Sequence, residues 1–275
     1  FTYLSSIIRV DLSLKIVIFS SVLFFPYGFR LYFYAPAMLV DSFFFLACFM
    51  FVVSVLNKKN GLFFAALIVA GFSRQTAILL IFIIFVFYKY EKINIKESFW
   101  GSLLLLILFL LNNYLASIFF EANSSSLLKH ITGLFKVVSF DIWIEFVTRG
   151  LLFFVLLTPF ILFKLKRDYV IIFLFAVLIL ASQPILAGPE ITGGNIIRLM
   201  AYGFAFSPIL FMEKKFKTDF FLTSMFVLLC MINSLHHNYS ILPSQKIYLV
   251  IILFSFFVSV IFLVTVRLGN YYVKR

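Results

Sequence analysis

The feature that most constrains this chain is a succession of long apolar runs with almost no charge inside them. They cover residues 12–29, 37–56, 99–118, 149–163, 169–187, 196–212, 219–235 and 247–266. A helix rises 1.5 Å per residue, so about 20 apolar residues cross a hydrocarbon layer about 30 Å thick. The whole chain is 64% hydrophobic and 12% charged, with mean hydropathy +1.12. A soluble domain is about half apolar and about a quarter charged. With so few polar residues, a water-soluble fold of this size has no means of covering its surface. The expected class is therefore all-α: a polytopic transmembrane helical bundle of about ten helical segments, with residues 1–275 forming a single transmembrane domain.

The net charge of +12 invites a nucleic-acid reading in a soluble protein. Here the basic residues fall in short connections between apolar runs, so nucleic acid is excluded as a partner and membrane lipid expected instead. Sixteen of the 23 Lys and Arg residues form one alternating set of connections. They are Arg9 and Lys15; Lys58 and Lys59; Lys89, Lys92 and Lys96; Lys164, Lys166 and Arg167; Lys214, Lys215 and Lys217; and Arg267, Lys274 and Arg275. The positive-inside rule places this set in the cytoplasm, together with both chain ends, in a multi-pass membrane protein.

That topology requires the apolar stretch 61–88 to cross an even number of times. It is interrupted at Ser73-Arg74-Gln75. The expectation is a hairpin of two short helices, 61–72 and 75–88, with the break buried in protein or lining a wet cavity. Gly71 permits the turn and Ser73 is placed to cap the second helix. Loops 30–36, 119–148, 188–195 and 236–246 then face outward. The pattern Ile131, Leu134, Phe135, Val138 beside Lys129 and Lys136 makes 119–148 an outer loop with an interfacial helix.

An ionisable side chain at membrane depth asks for a partner or a function. The outward half gathers Arg30, Asp41, Arg74, Glu190 and Arg198. Arg30 closes Gly28-Phe29-Arg30 ahead of the helix opened by Pro36, and Asp41 lies about one turn inside that helix. Arg74, beside a helix start and next to Gln75, offers five donors to a phosphate; the alternative is an ion pair with Asp41 or Glu190. The stretch Gly188-Pro189-Glu190-Ile191-Thr192-Gly193-Gly194-Asn195 reads as a loop. Asn195 is an expected N-cap, and Arg198 in the following first turn opposes the macrodipole and so calls for an anion. Arg74, Arg198 and Arg30 are therefore the expected phosphate-binding residues, with Asp41, Gln75, Glu190 and Asn195 orienting them.

Other chemistry is thin. Cys48 and Cys230 lie in apolar runs without metal spacing. His236-His237 have no acidic partner at ligand spacing, so no metal site is expected. There is no P-loop, GxGxxG, nucleophile elbow or paired CxxC. No cofactor is called for, although a divalent cation is compatible with phosphate chemistry.

The layout resembles the GT-C superfamily of polytopic glycosyltransferases, which take a sugar from a polyprenyl-phosphate carrier on the outer face. The resemblance covers residues 20–210. It rests on an aromatic, Arg-bearing outer loop before a helix with an acidic residue (Arg30 to Asp41), on a helix pair broken by Arg74, and on a late Gly-rich loop leading to Arg198 and Pro208. It implies a polyprenyl-phosphate sugar donor, a glycan, lipid or protein acceptor, and a place in cell-envelope polysaccharide biosynthesis. That family's catalytic carboxylate sits in the first outer loop, which has no counterpart here. The chain opens at Phe1 rather than Met and is read as lacking an N-terminal part, so no catalytic base is assigned. Competing readings are an O-antigen-type polysaccharide polymerase acting on lipid diphosphates, a transporter, or a non-catalytic subunit.

Overall fold

In a computed structural model the described residues are 6–8, 10–23, 39–119, 157–158, 166–192, 199–211, 220–234, 250, 253–254, 256–261 and 263–265. They are helical, with no strand among them. The elements are α1 (Leu12–Leu23), α2 (Leu39–Leu56), α3 (Asn60–Ser73), a 3-10 segment (Gln75–Leu79), α4 (Leu80–Lys89), α5 (Ile95–Phe119), α6 (Arg167–Thr192), a second 3-10 segment (Ala201–Phe206), α7 (Pro208–Phe211) and α8 (Phe220–Ser234).

Apart from Asp41 and two serines, helix α2 is apolar, as suits a helix packed among others, and most of it is buried. Phe44, Phe45, Phe49 and Phe51 on it are fully buried. Phe51 ties three elements together: its ring centroid lies 5.5 Å from Phe63 of α3, 5.4 Å from Phe87 of α4 and 6.2 Å from Phe206 of the second 3-10 segment. Such aromatic pairs add about 0.5–1.5 kcal/mol beyond the area they bury.

The second 3-10 segment and α7 lie wholly inside the molecule: every residue from Ala201 to Phe211 is buried. The sequence predicts one continuous span over 196–212, but the described part is a 3-10 segment followed by a single α turn. Pro208 supplies no N–H to the turn before it, and Ser207, itself in the α region (φ −54°, ψ −30°), marks the change from 3-10 to α geometry. Ser207 faces α1, with its Oγ 3.0 Å from that of Ser21.

The break at Arg74 falls where the sequence places it. Helix α3 ends at Ser73, Arg74 is extended (φ −149°, ψ 139°), and the 3-10 segment starts at Gln75. Helices α3 and α4 then run in opposite directions; α3 packs chiefly on α2 and also on α5, and α4 packs on α5 and α6. Gly71 meets Leu108 of α5, and Gly101 of α5 meets Phe63, so α3 runs parallel to α5. A tight turn over Tyr90–Asn94 makes α4 antiparallel to α5. One expectation is corrected: Ser73 does not cap the second limb. Its hydroxyl bonds back to the Val69 carbonyl at 2.6 Å, a local competitor of the helix ladder that helps end α3.

Helix α6 contains a kink at Gly188, whose φ of 73° only glycine adopts without strain. The expected span 169–187 therefore ends where predicted, but the expected loop 188–195 does not begin there. The chain stays helical through Thr192.

Two helices are long and apolar enough to cross a membrane by length and composition, Ile95–Ile118 and Arg167–Gly188. They differ in burial. Only 17% of the apolar window of α5 is covered by protein, against 44% for α6. Leu106, Leu110 and Ile118 of α5 are exposed.

Candidate functional site

The site is built around the break between α3 and α4. Such a break strands helix-end carbonyls, which in an apolar setting must find donors. Helix α5 provides one: Asn112 Nδ2 donates to the Gly71 carbonyl at 2.6 Å. The adjacent Asn113 accepts from Gln75 Nε2 at 3.2 Å on the exposed side. Two neighbouring amides in one apolar run thus hold the two sides of the break. Gly71 is required for this approach, because a Cβ built there would lie 2.6 Å from Leu108 Cδ1.

With the backbone held, the guanidinium of Arg74 reaches α2 and forms an ion pair with Asp41 Oδ1 through Nη2. The pair is asymmetric: Asp41 is fully buried, whereas the Arg74 side chain is one-third exposed (33%). The same carboxylate oxygen accepts from the Tyr202 hydroxyl at 2.6 Å. Tyr202 is itself buried, with Phe44 edge-on to its ring at 4.9 Å. Asp41 lies in the first turn of α2, where the helix dipole also favours its negative charge. A buried carboxylate needs several such partners to remain charged.

Not every donor near the break is satisfied. Arg74 Nε, Thr76 Oγ1 and Ser42 Oγ are buried without a hydrogen-bond partner among the described residues. A guanidinium presents five N–H donors. Asp41 orients it through the Nη2 end, while the Nε edge keeps an unmet donor at the break. Chemically, the arrangement is a cation fixed in direction by a buried carboxylate, its side chain one-third exposed and its Nε donor buried.

Of the residues the sequence singles out, Arg74 and Asp41 are brought into direct contact, and Gln75 lies beside them on Asn113. Glu190 falls in the last helical turn of α6, beyond the Gly188 kink. Arg30, Asn195 and Arg198 lie outside the described residues, as does the expected interfacial helix in 119–148. Cys48 and Cys230 are both buried and unpaired, in line with apolar packing. Among the described residues no group of three or more His, Cys, Asp or Glu side chains is placed to hold a metal.

Sequence reasoning missed Tyr202, Asn112 and Asn113. For the asparagines a signal was present: two amides inside Leu110-Leu111-Asn112-Asn113-Tyr114, where polar side chains ask for interhelical partners. Tyr202 carries no such signal, since a tyrosine in an apolar run packs equally well as a core ring.

No protein family, curated protein or solved structure matches the chain.

Proposed function

We propose that the chain is a polytopic glycosyltransferase of the bacterial cytoplasmic membrane, with both ends in the cytoplasm. It takes a sugar from a polyprenyl-phosphate carrier at the outer face in cell-envelope glycan synthesis. The observation that carries this reading is the partly exposed Arg74 guanidinium, directed by a fully buried Asp41 and keeping an unmatched Nε donor at a broken helix. The apolar, exposed face of α5 supports a lipid setting for the same helices.

In this reading the donor phosphate sits against Arg74, with Arg198 and Arg30 completing its anion site. Gln75, Asn195 and Glu190 orient the donor or the acceptor, and Asp41 holds Arg74 in direction. The bond from the sugar anomeric carbon to the phosphate oxygen breaks as the acceptor hydroxyl oxygen bonds to that carbon. Negative charge grows on the leaving phosphate oxygen, where a fixed guanidinium stabilises the transition state. The acceptor proton passes to a general base that the chain's described residues do not identify.

The test is sugar transfer in membrane vesicles carrying the purified chain, using labelled polyprenyl-monophosphate sugar. Arg74→Lys keeps the charge but loses the planar fork, and is expected to lower turnover by on the order of a hundredfold while the protein still folds. Unchanged turnover in a folded Arg74→Lys protein sinks the assignment. Transfer from a repeat-unit lipid diphosphate alone moves it to a polysaccharide polymerase.

A further inference from the structure

A second site lies at the other end of α3, roughly 20 Å from Arg74 by the helical rise. There the α2–α3 turn and the α4–α5 turn form the walls of a cleft of about 280 Å³. Three lysines, Lys58, Lys59 and Lys92, line it, together with Asn60, Glu91 and Glu97. That volume is near the lower end of ligand sites, which suits a headgroup or a small anion.

The lysines form no ion pair among the described residues, and they outnumber the two carboxylates of the lining, Glu91 and Glu97, by one. Among the described residues no carboxylate lies within ion-pair distance of Lys58, Lys59 or Lys92. Glu97 is committed elsewhere: its Oε2 accepts from the Asn94 N–H at 3.0 Å, and its own N–H donates to Asn94 Oδ1 at 2.8 Å, a reciprocal cap at the start of α5. Lys92 is held by an aromatic ring instead, with Nζ 5.0 Å from the centroid of Tyr169 on α6. The ring positions the ammonium without cancelling its charge.

The backbone of both walls is also unusual. Lys58 (φ 54°) and Glu91 (φ 55°) occupy the left-handed position that ends a helix. Lys59 N–H bonds the Ser54 carbonyl and Lys58 N–H the Val55 carbonyl; Lys92 N–H bonds the Phe87 carbonyl and Glu91 N–H the Tyr88 carbonyl. Glycine is the residue that takes this seat without strain. Two long charged side chains stand there instead, and both line the cleft.

We propose that this cleft binds the phosphate group of an anionic ligand, carried by a membrane lipid headgroup or free in solution. Three lysines against two carboxylates leave the lining of this small cleft with net positive charge, which attracts a compact anion, and Lys binds phosphate as a point charge. The site is separate from the Arg74 break and does not depend on sugar transfer.

The experiment measures the melting temperature of the detergent-purified full chain against phosphatidylglycerol, phosphatidylcholine and inorganic phosphate. Phosphatidylglycerol or inorganic phosphate is expected to raise it, and phosphatidylcholine to leave it unchanged. A response to phosphatidylglycerol alone assigns a lipid headgroup; an equal response to inorganic phosphate assigns a soluble anion. K58Q/K59Q/K92Q should weaken apparent affinity on the order of a hundredfold, at roughly a factor of five per lysine. K58R/K59R/K92R should retain binding, which separates charge from folding. K89Q/K96Q/K166Q removes as many charges outside the lining and should retain binding too. No stabilisation by either anion, or equal loss in both glutamine variants, overturns the proposal.

Discussion

The Tyr202 hydroxyl and the Asp41 carboxylate, 161 positions apart in sequence, meet at 2.6 Å inside the molecule. This bond joins the buried 3-10 segment to α2 and helps fix the oxygen that directs Arg74. A hydrogen bond to a charged group contributes about 1.5–3 kcal/mol. Tyr202→Phe keeps the ring against Phe44 and removes only that donor. It is expected to lower unfolding free energy by about that amount, read from chemical unfolding in detergent. A neutral result would show that the hydroxyl does not support the carboxylate.

Removing the two ends of the ion pair should have unequal effects. Arg74→Ala leaves a fully buried carboxylate without its cation, and breaking a buried pair costs about 3–5 kcal/mol. Asp41→Asn leaves a guanidinium that is one-third exposed and able to reach water or headgroups, so its loss of stability should be clearly smaller. Melting temperatures of the two variants check the order. The reverse order would place the dependence on Arg74 rather than on the burial of Asp41.

The break itself should depend on Asn112 more than on Asn113. Asn112 serves a main-chain carbonyl in a partly buried position, whereas Asn113 serves an exposed glutamine. Asn112→Ala strands the Gly71 carbonyl and should cost about 1–3 kcal/mol; Asn113→Ala should cost about 0.5 kcal/mol. Protease resistance around residues 71–77 in vesicles reports the same difference locally.

The glycines of α3 should respond in opposite ways to alanine. At Gly61, in the first turn, an added Cβ meets nothing within 4 Å. Gly61→Ala should stabilise by about 0.4–1 kcal/mol through the unfolded chain. At Gly71 the same methyl collides with Leu108, so Gly71→Ala should cost about 1–3 kcal/mol by overpacking. Paired thermal melts of the two variants decide it.

A fifth expectation concerns the left-handed seat at the end of α4. Glu91 holds φ 55° there, and glycine removes the steric penalty of about 1–2 kcal/mol carried by a side chain. Glu91→Gly should raise the melting temperature of the ligand-free protein.

The pattern of hydrophobic runs was sufficient to read an all-helical chain, the broken pair at Arg74 and the end of a span at Gly188. These follow from local physics: helical rise, absence of polar side chains, glycine and proline stereochemistry. The same pattern gave no way to distinguish α2 from α5. Both are long apolar helices, yet α2 is enclosed by aromatic neighbours while α5 presents most of its surface outward. Burial depends on what lies beside a helix, and composition does not record neighbours.

The site divides along the same line. That Arg74 and Asp41 each needed an explanation was evident from their apolar surroundings, because charge at that depth is expensive. Which partner each takes is a matter of three-dimensional distance. Only packing brought α2 against the break, placed Tyr202 on the far side of the carboxylate, turned Asn112 to the Gly71 carbonyl and gathered three lysines from two turns around one cleft. Local sequence determines what each segment prefers; long-range contacts decide which segments meet, and hydrogen bonds and ion pairs act only across that final separation.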